Sequence, residues 1–134
     1  MKTTQLELRV RYAEVDRGQA VYHANYFVWL DMARTEFLRE CGISYKQLED
    51  SGYLFVVAET ECRYLKPIGF DDEILIKTFL KKLSRRTAHF VYEIYNKKDR
   101  EQIISKARTT LVMIDSSHKT AQMPELLYKT LEKV

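Results

Sequence analysis

The sequence predicts an α+β fold, with one substantial helix lying across a largely antiparallel sheet. Three observations carry that expectation. Residues 5–13, "QLELRVRYA", alternate strictly, setting Leu6, Leu8, Val10 and Tyr12 against Gln5, Glu7, Arg9 and Arg11, the mark of a half-buried strand. From Tyr26 to Cys41 the apolar residues Tyr26, Trp29, Leu30, Ala33, Phe37 and Cys41 recur at helical spacing. Four strand-like runs then follow in series, joined by turns too short for crossover helices.

Residues 14–25 read as a loop. Asn25 is placed to cap the long helix, Phe27 and Leu38 widen its apolar stripe, and Gly42 is placed to stop it. A short second helix is expected from Ser44 to Asp50, with Ser44 as its cap. The later strands are 53–65 ("YLFVVAETECRYL"), 72–83, 86–96 and 102–115, with Pro67-Ile68-Gly69 breaking the first from the second. In the last strand one face reads Ser105, Ala107, Thr109, Leu111 and Met113, small enough at several positions for a helix to approach closely. Trp29 and Phe37 are expected to fill the concavity of the sheet, each worth about 1.5–3 kcal/mol on burial. Pro124 begins a final short helix.

At 134 residues with four glycines and two prolines, and with no linker or repeat, the chain reads as one domain over 1–134. Such a length buries enough surface to need neither metal nor disulfide. The formal charge of +3 comes from bases interspersed with acids, a solvated surface and not a nucleic-acid stripe. Cys41 and Cys62 stand alone without metal-ligand spacing and read as reduced packing residues. The N-terminus alternates and carries Glu7, unlike a signal peptide. No apolar run reaches the length of a membrane span, so the expected location is the cytoplasm.

"RYAEVDRGQAVYHANYF" (11–27) sets one carboxylate, Asp16, between a strand and the start of the longest helix. The N–H groups of a helix's first turn lack intrahelical acceptors and carry about half a positive charge. Donors so aimed can hold the oxygen of a polarised carbonyl, and a nearby carboxylate can activate water or attack the carbonyl carbon. The residues alone leave two readings open: an acyl-transfer site, or an aspartate that merely forms a turn. His23 likewise reads either as part of such a site or as a hydrogen-bonded histidine at a helix start.

The segment "RYAEVDRGQAVYHANYFVWLDMARTEFL" resembles the active-site region of hotdog-fold acyl-CoA thioesterases, in the branch of 4-hydroxybenzoyl-CoA thioesterase and the YbgC-type enzymes. Asp16, Tyr22, His23, Asn25 and Tyr26 stand in register with that family's pattern, and "ECRYLKPIGFDDEI" resembles its second strand and following turn. The resemblance implies a hotdog fold, a five-stranded antiparallel sheet wrapped around one long central helix. It also implies dimers, often paired into tetramers, with active sites at the dimer interface. Carried over, it implies hydrolysis of acyl-CoA thioesters with Asp16 as general base or nucleophile. The backbone N–H of His23 would polarise the carbonyl, and the Tyr22 and His23 side chains would shape the pocket. No cofactor or metal is implied, coenzyme A being part of the substrate, which carries a short-chain or aromatic acyl group; acyl carrier protein thioesters are an alternative. The family commonly has glycine three residues after the aspartate; here Gln19 holds that place, and the loop is expected to turn at Gly18.

Phosphates of a nucleotide suit arginine forks. Ser84, Arg85 and Arg86 form a turn near where the family binds the nucleotide, so they are the candidate CoA-binding residues. Glu59 and Glu61 are expected on one strand face with Phe55, Val57 and Arg63, most simply as a charged pair. His89 and His118 read as structural. Two rival functions share this fold: a hydratase or dehydratase of acyl thioesters, and a non-catalytic thioester-binding scaffold. The spacing from Asp16 to Tyr22-His23 favours hydrolysis, and a mere binder has little use for a carboxylate beside a carbonyl site.

Overall fold

The computed structural model describes residues 1–134. Strand β1 (Thr3–Arg9) leads through a 3₁₀ turn (Tyr12–Glu14) and a loop into helix α1 (Asn25–Glu40). Helix α2 (Tyr45–Asp50), strands β2 (Leu54–Tyr64), β3 (Glu73–Leu83), β4 (Thr87–Asn96) and β5 (Ile103–Ile114), and helix α3 (Glu125–Glu132) follow. The strands form one antiparallel sheet in the order β1-β3-β4-β5-β2, the hotdog architecture. One edge of the sheet is β1; the other is β2.

The strand pattern explains what α1 packs on. One face of β3, β4 and β5 is buried at every second residue, including Ile74, Ile76 and Thr78, then Ala88, Phe90, Tyr92 and Ile94, then Ser105, Ala107, Thr109, Leu111 and Met113, while Leu75 and Ile104 on the opposite face are buried as well. The alternating residues face Trp29, Leu30, Ala33, Phe37 and Leu38 of α1, all fully buried, and Phe37 meets Phe90 edge-on at 5.3 Å. The small face of β5 thus lies in the core, as its sequence requires.

Helix ends follow their chemistry, with one exception. Gly42 takes φ +82° just past α1, the left-handed stop that glycine adopts without strain, and the Ser44 hydroxyl accepts the Gln47 N–H at 3.2 Å to cap α2. Asn25, however, is not the cap of α1. It is the first helical residue, Ala24 stands at the cap position, and the Asn25 amide instead donates to the Glu14 carbonyl at 2.9 Å.

Two strand expectations need correction. The first strand ends at Arg9, because the Val10 N–H turns to bond the Asp72 carbonyl; Tyr12 therefore lies 76% exposed in the 3₁₀ turn and not on the inner face. In β2 a bulge between Val57 and Glu59 breaks the register with β5. An extra residue in one strand reverses the facing of everything beyond it, so Glu59 and Glu61 do not share a face with Phe55 and Val57. Glu61 pairs instead with Arg108 at 2.6 Å.

Within the core, the Arg34 guanidinium is 5% exposed. It donates to the Tyr92 hydroxyl at 3.0 Å, forms an ion pair with Asp31, and leaves Nε without a partner. No helix is long and apolar enough to cross a membrane.

Candidate active site

The loop between the 3₁₀ turn and α1 is a small hairpin. Val15 bridges Val21, the Asp16 N–H bonds the Ala20 carbonyl at 3.0 Å, and the Gln19 N–H bonds the Asp16 carbonyl at 3.0 Å. The turn is tightened by the Asp16 side chain, whose Oδ1 accepts the Gly18 N–H at 2.8 Å; Asp16 is thus a turn former as well as a site candidate. Its Oδ2 has no protein partner, and the carboxylate makes no ion pair. The left-handed residue is Gln19, with φ +65°, and not Gly18. Glycine three residues after the aspartate would take that conformation freely; here a residue with a Cβ bears its strain.

Gly69 holds the hairpin from below. It bridges Ala20, and a Cβ at Gly69 would lie 3.0 Å from the Gln19 carbonyl, so any other residue there would have to push the hairpin back by a few tenths of an ångström. Beside the hairpin lies a cleft of about 950 Å³ lined by Tyr12, Val15, Asp16, Arg17, Gln19 and Phe70. Tyr12 and Phe70 meet edge-on across 5.5 Å at its mouth.

Glu14 ties the hairpin to the helix. Its carboxylate, though nearly buried, accepts the Arg11 N–H at 2.7 Å and the Trp29 indole N–H at 2.7 Å. Its carbonyl accepts the Tyr22 N–H and the Asn25 amide, both at 2.9 Å. Burial alone pushes this carboxyl up, but the bonds from the Arg11 backbone and the Trp29 indole, with the Arg11 guanidinium beside them, outweigh it and hold it below the usual glutamate range.

At the start of α1 the Asn25, Tyr26 and Phe27 N–H groups bond the carbonyls of Tyr22, His23 and Ala24. The N–H groups of His23 and Ala24 have no acceptor in the protein. Around them stand the Tyr22 ring, 4.5 Å from the His23 ring, and Tyr64 at the end of β2, whose hydroxyl donates to the His23 carbonyl at 3.0 Å. Tyr26 is buried and belongs to the core, whereas Tyr22 is about half exposed. The structure therefore brings Asp16, Tyr22 and His23 to one end of the sheet.

Ser84, Arg85 and Arg86 lie elsewhere in the protomer. They join β3 to β4 at the far end of β3 from the hairpin, 11 residues away along the strand, or about 35 Å at 3.3 Å per residue. The Ser84 hydroxyl closes the turn onto Thr87 at 2.7 Å. Arg85 is committed to α3, with an ion pair to Glu125 at 2.7 Å and its guanidinium 4.0 Å over the Tyr128 ring. Arg86 makes no ion pair. His89 bonds Thr110 at 3.0 Å and His118 sits in a turn at φ +60°. No group of three or more His, Cys, Asp or Glu side chains gathers in a way that could hold a metal ion.

Sequence reasoning did not single out Glu14, Tyr64 or the Ala24 N–H. A signal for Glu14 was present: the indole of Trp29, on the buried face of a helix, needs an acceptor. Nothing local announces Tyr64, which comes from a strand 41 residues away.

This geometry has counterparts. The chain is 31% identical to the acyl-CoA thioester hydrolase YbgC of Escherichia coli over 108 residues, 81% of this chain and 79% of that protein. It superposes on the DHNA-CoA thioesterase of Staphylococcus aureus with a TM-score of 0.94 at 28% identity, covering 99% of this chain and 91% of that one. It is also 26% identical to the acyl-acyl carrier protein thioesterase ATL3 of Arabidopsis thaliana over 120 residues, 90% of this chain and 63% of that protein. With residues 10–131 matching its family model, the chain belongs to the thioesterase-like superfamily.

Proposed function

We propose that this protein hydrolyses acyl-CoA thioesters, with Asp16 as the reacting carboxylate and the N–H groups at the start of α1 as the carbonyl site. The observation that carries this reading is the pairing of an aspartate whose Oδ2 is free with two backbone N–H groups, of His23 and Ala24, that have no acceptor. Donors already in place where negative charge develops lower a barrier without reorganisation.

The thioester oxygen sits against those N–H groups. In one course Oδ2 of Asp16 takes a proton from water, and the water oxygen attacks the carbonyl carbon. In the other Oδ2 attacks directly, giving a mixed anhydride that water then cleaves. In both, the C–S bond breaks and the sulfur leaves as the CoA thiolate, which then takes up a proton. The Tyr22 and His23 rings wall the site, and the half-exposed Tyr22 suits contact with the acyl group. The chemistry needs no metal or further cofactor. Two of the relatives named above are named for CoA thioesters and one for a carrier-protein thioester; the arginine turn favours CoA.

That turn also argues for assembly. From the opposite end of its own protomer it cannot serve Asp16. Pairing of the free edge of β2 with a second copy, antiparallel about a two-fold axis, would carry the partner's turn to the Asp16 end. Val57, Tyr64 and Leu65 on that edge, with Val28 and Met32 on α1, leave apolar surface exposed along it, as a buried interface requires. The working unit we propose is therefore a homodimer, or a tetramer of two such dimers, in the cytoplasm.

The test is release of free thiol from acetyl-, hexanoyl- and benzoyl-CoA by wild type and by Asp16→Asn. Loss of the charge with shape retained should lower kcat by at least about 10²-fold while binding is kept. Equal rates in the two proteins refute the assignment.

A further inference from the structure

Tyr64 is the last residue of β2, on the free edge of the sheet. Its hydroxyl reaches across to the chain just ahead of α1 and donates to the His23 carbonyl at 3.0 Å. That carbonyl already accepts the Tyr26 N–H, but at 3.3 Å, so the phenol supplies the shorter of its two bonds. The ring is held for this purpose: it meets Tyr26 edge-on, with centroids 4.8 Å apart and planes at 85°, and stands 6.4 Å from the His23 ring. Burial first, then the Cys62 thiol, push the phenol up to about 12, so it remains a donor at any working pH.

The carbonyl of His23 and the N–H of Ala24 belong to one peptide unit. Peptide planarity means that fixing the direction of the oxygen fixes the direction of the N–H on its far side. A hydrogen bond to the oxygen also polarises the same unit and makes its N–H a better donor. That N–H has no acceptor within the protein. Resting on the thioester-hydrolase reading above, we propose that Tyr64 is a positioning residue: through the His23 carbonyl it aims and strengthens the Ala24 N–H as a second donor to the thioester oxygen, beside the N–H of His23.

Two consequences separate this role from ordinary packing. The bond acts on charge that develops in the transition state, so its removal lowers kcat and leaves KM nearly unchanged. Phenylalanine keeps the edge-on ring contact with Tyr26 and the apolar edge of β2, so the substitution removes only the hydroxyl.

The experiment compares wild type, Tyr64→Phe and Asp16→Asn on acetyl-, hexanoyl- and benzoyl-CoA, with the Tm of each protein. The expected result for Tyr64→Phe is a kcat five- to tenfold below wild type, a KM within twofold, and a Tm within about 3 °C. A wild-type kcat in Tyr64→Phe, with Asp16→Asn inactive, overturns the role of Tyr64 and leaves the hydrolase reading standing. So does a fall in Tm of 8 °C or more that accounts for the lost rate, because that marks a structural role. Full activity in Asp16→Asn, or no thiol release by wild type from any of the three thioesters, overturns the hydrolase reading itself.

Discussion

Replacing Glu14 by glutamine, a near-isosteric change, should destabilise this protein markedly. The Glu14 carboxylate is 5% exposed and accepts two N–H donors at 2.7 Å, one from the Arg11 backbone and one from the Trp29 indole. Glutamine keeps one oxygen for one donor and turns an NH₂ group toward the other. A hydrogen bond to a charged group is worth about 1.5–3 kcal/mol, and a buried donor left facing another donor costs a similar amount. The expected loss is about 2–4 kcal/mol, or roughly 7–14 °C in Tm for a chain of this length. The pH dependence carries a sign. Because the folded state holds this carboxyl below its usual range, its stabilising contribution is complete above the unfolded value of about 4.3 and is lost as pH falls through the lower native value. The Tm gap between wild type and Glu14→Gln is therefore widest near pH 7 and narrows toward pH 3. Calorimetry at both pH values tests this. A gap below about 2 °C at pH 7, or one that widens as the solution is acidified, would refute the reasoning.

Gln19→Gly should raise stability by about 0.5 kcal/mol, the relief of a left-handed side-chain residue being partly offset by added freedom in the unfolded chain; a Tm below wild type counts against strain at φ +65°. Arg85 and Arg86 should separate. Arg86→Ala raises the KM for acyl-CoA several-fold and leaves Tm alone. Arg85→Ala lowers Tm by a few degrees through loss of the Glu125 pair and the Tyr128 stack, each worth at most about 1 kcal/mol at an exposed site. Unchanged KM in the double variant removes this turn from CoA binding.

The strands and helices were legible because their periods are enforced by burial. Alternation in β3, β4 and β5 places every second residue under α1, and one slipped residue would turn Phe90 or Ile76 outward. Where alternation ran on without a core to face, it misled: Tyr12 continues the pattern of β1 but lies beyond its end. The bulge in β2 was illegible for the opposite reason, since "VVAETE" carries no glycine or proline to mark an extra residue. The site divided in the same way. Asp16 and His23 belong to one short segment and can be read together. Glu14 and Tyr64 act through contacts 15 and 41 residues away, which no local pattern records.

The helix start itself explains why so many groups converge on it. A serine or aspartate at the cap position would satisfy first-turn donors and stabilise the helix by about 1 kcal/mol. This chain has Ala24 there, with no side-chain cap, and it turns the one candidate cap, Asn25, back onto the Glu14 carbonyl. The stability forgone at the cap is recovered outside it, through the Glu14–Trp29 bond, the Asn25–Glu14 bond and the Tyr64–His23 bond. All three hold the turn from behind or from the side, and none uses the N–H groups of His23 and Ala24. The Tyr26 and Phe27 donors that a capping side chain would take are bonded instead to the His23 and Ala24 carbonyls, so the backbone itself closes this helix end while the N–H groups of His23 and Ala24, just ahead of it, keep no acceptor in the protein.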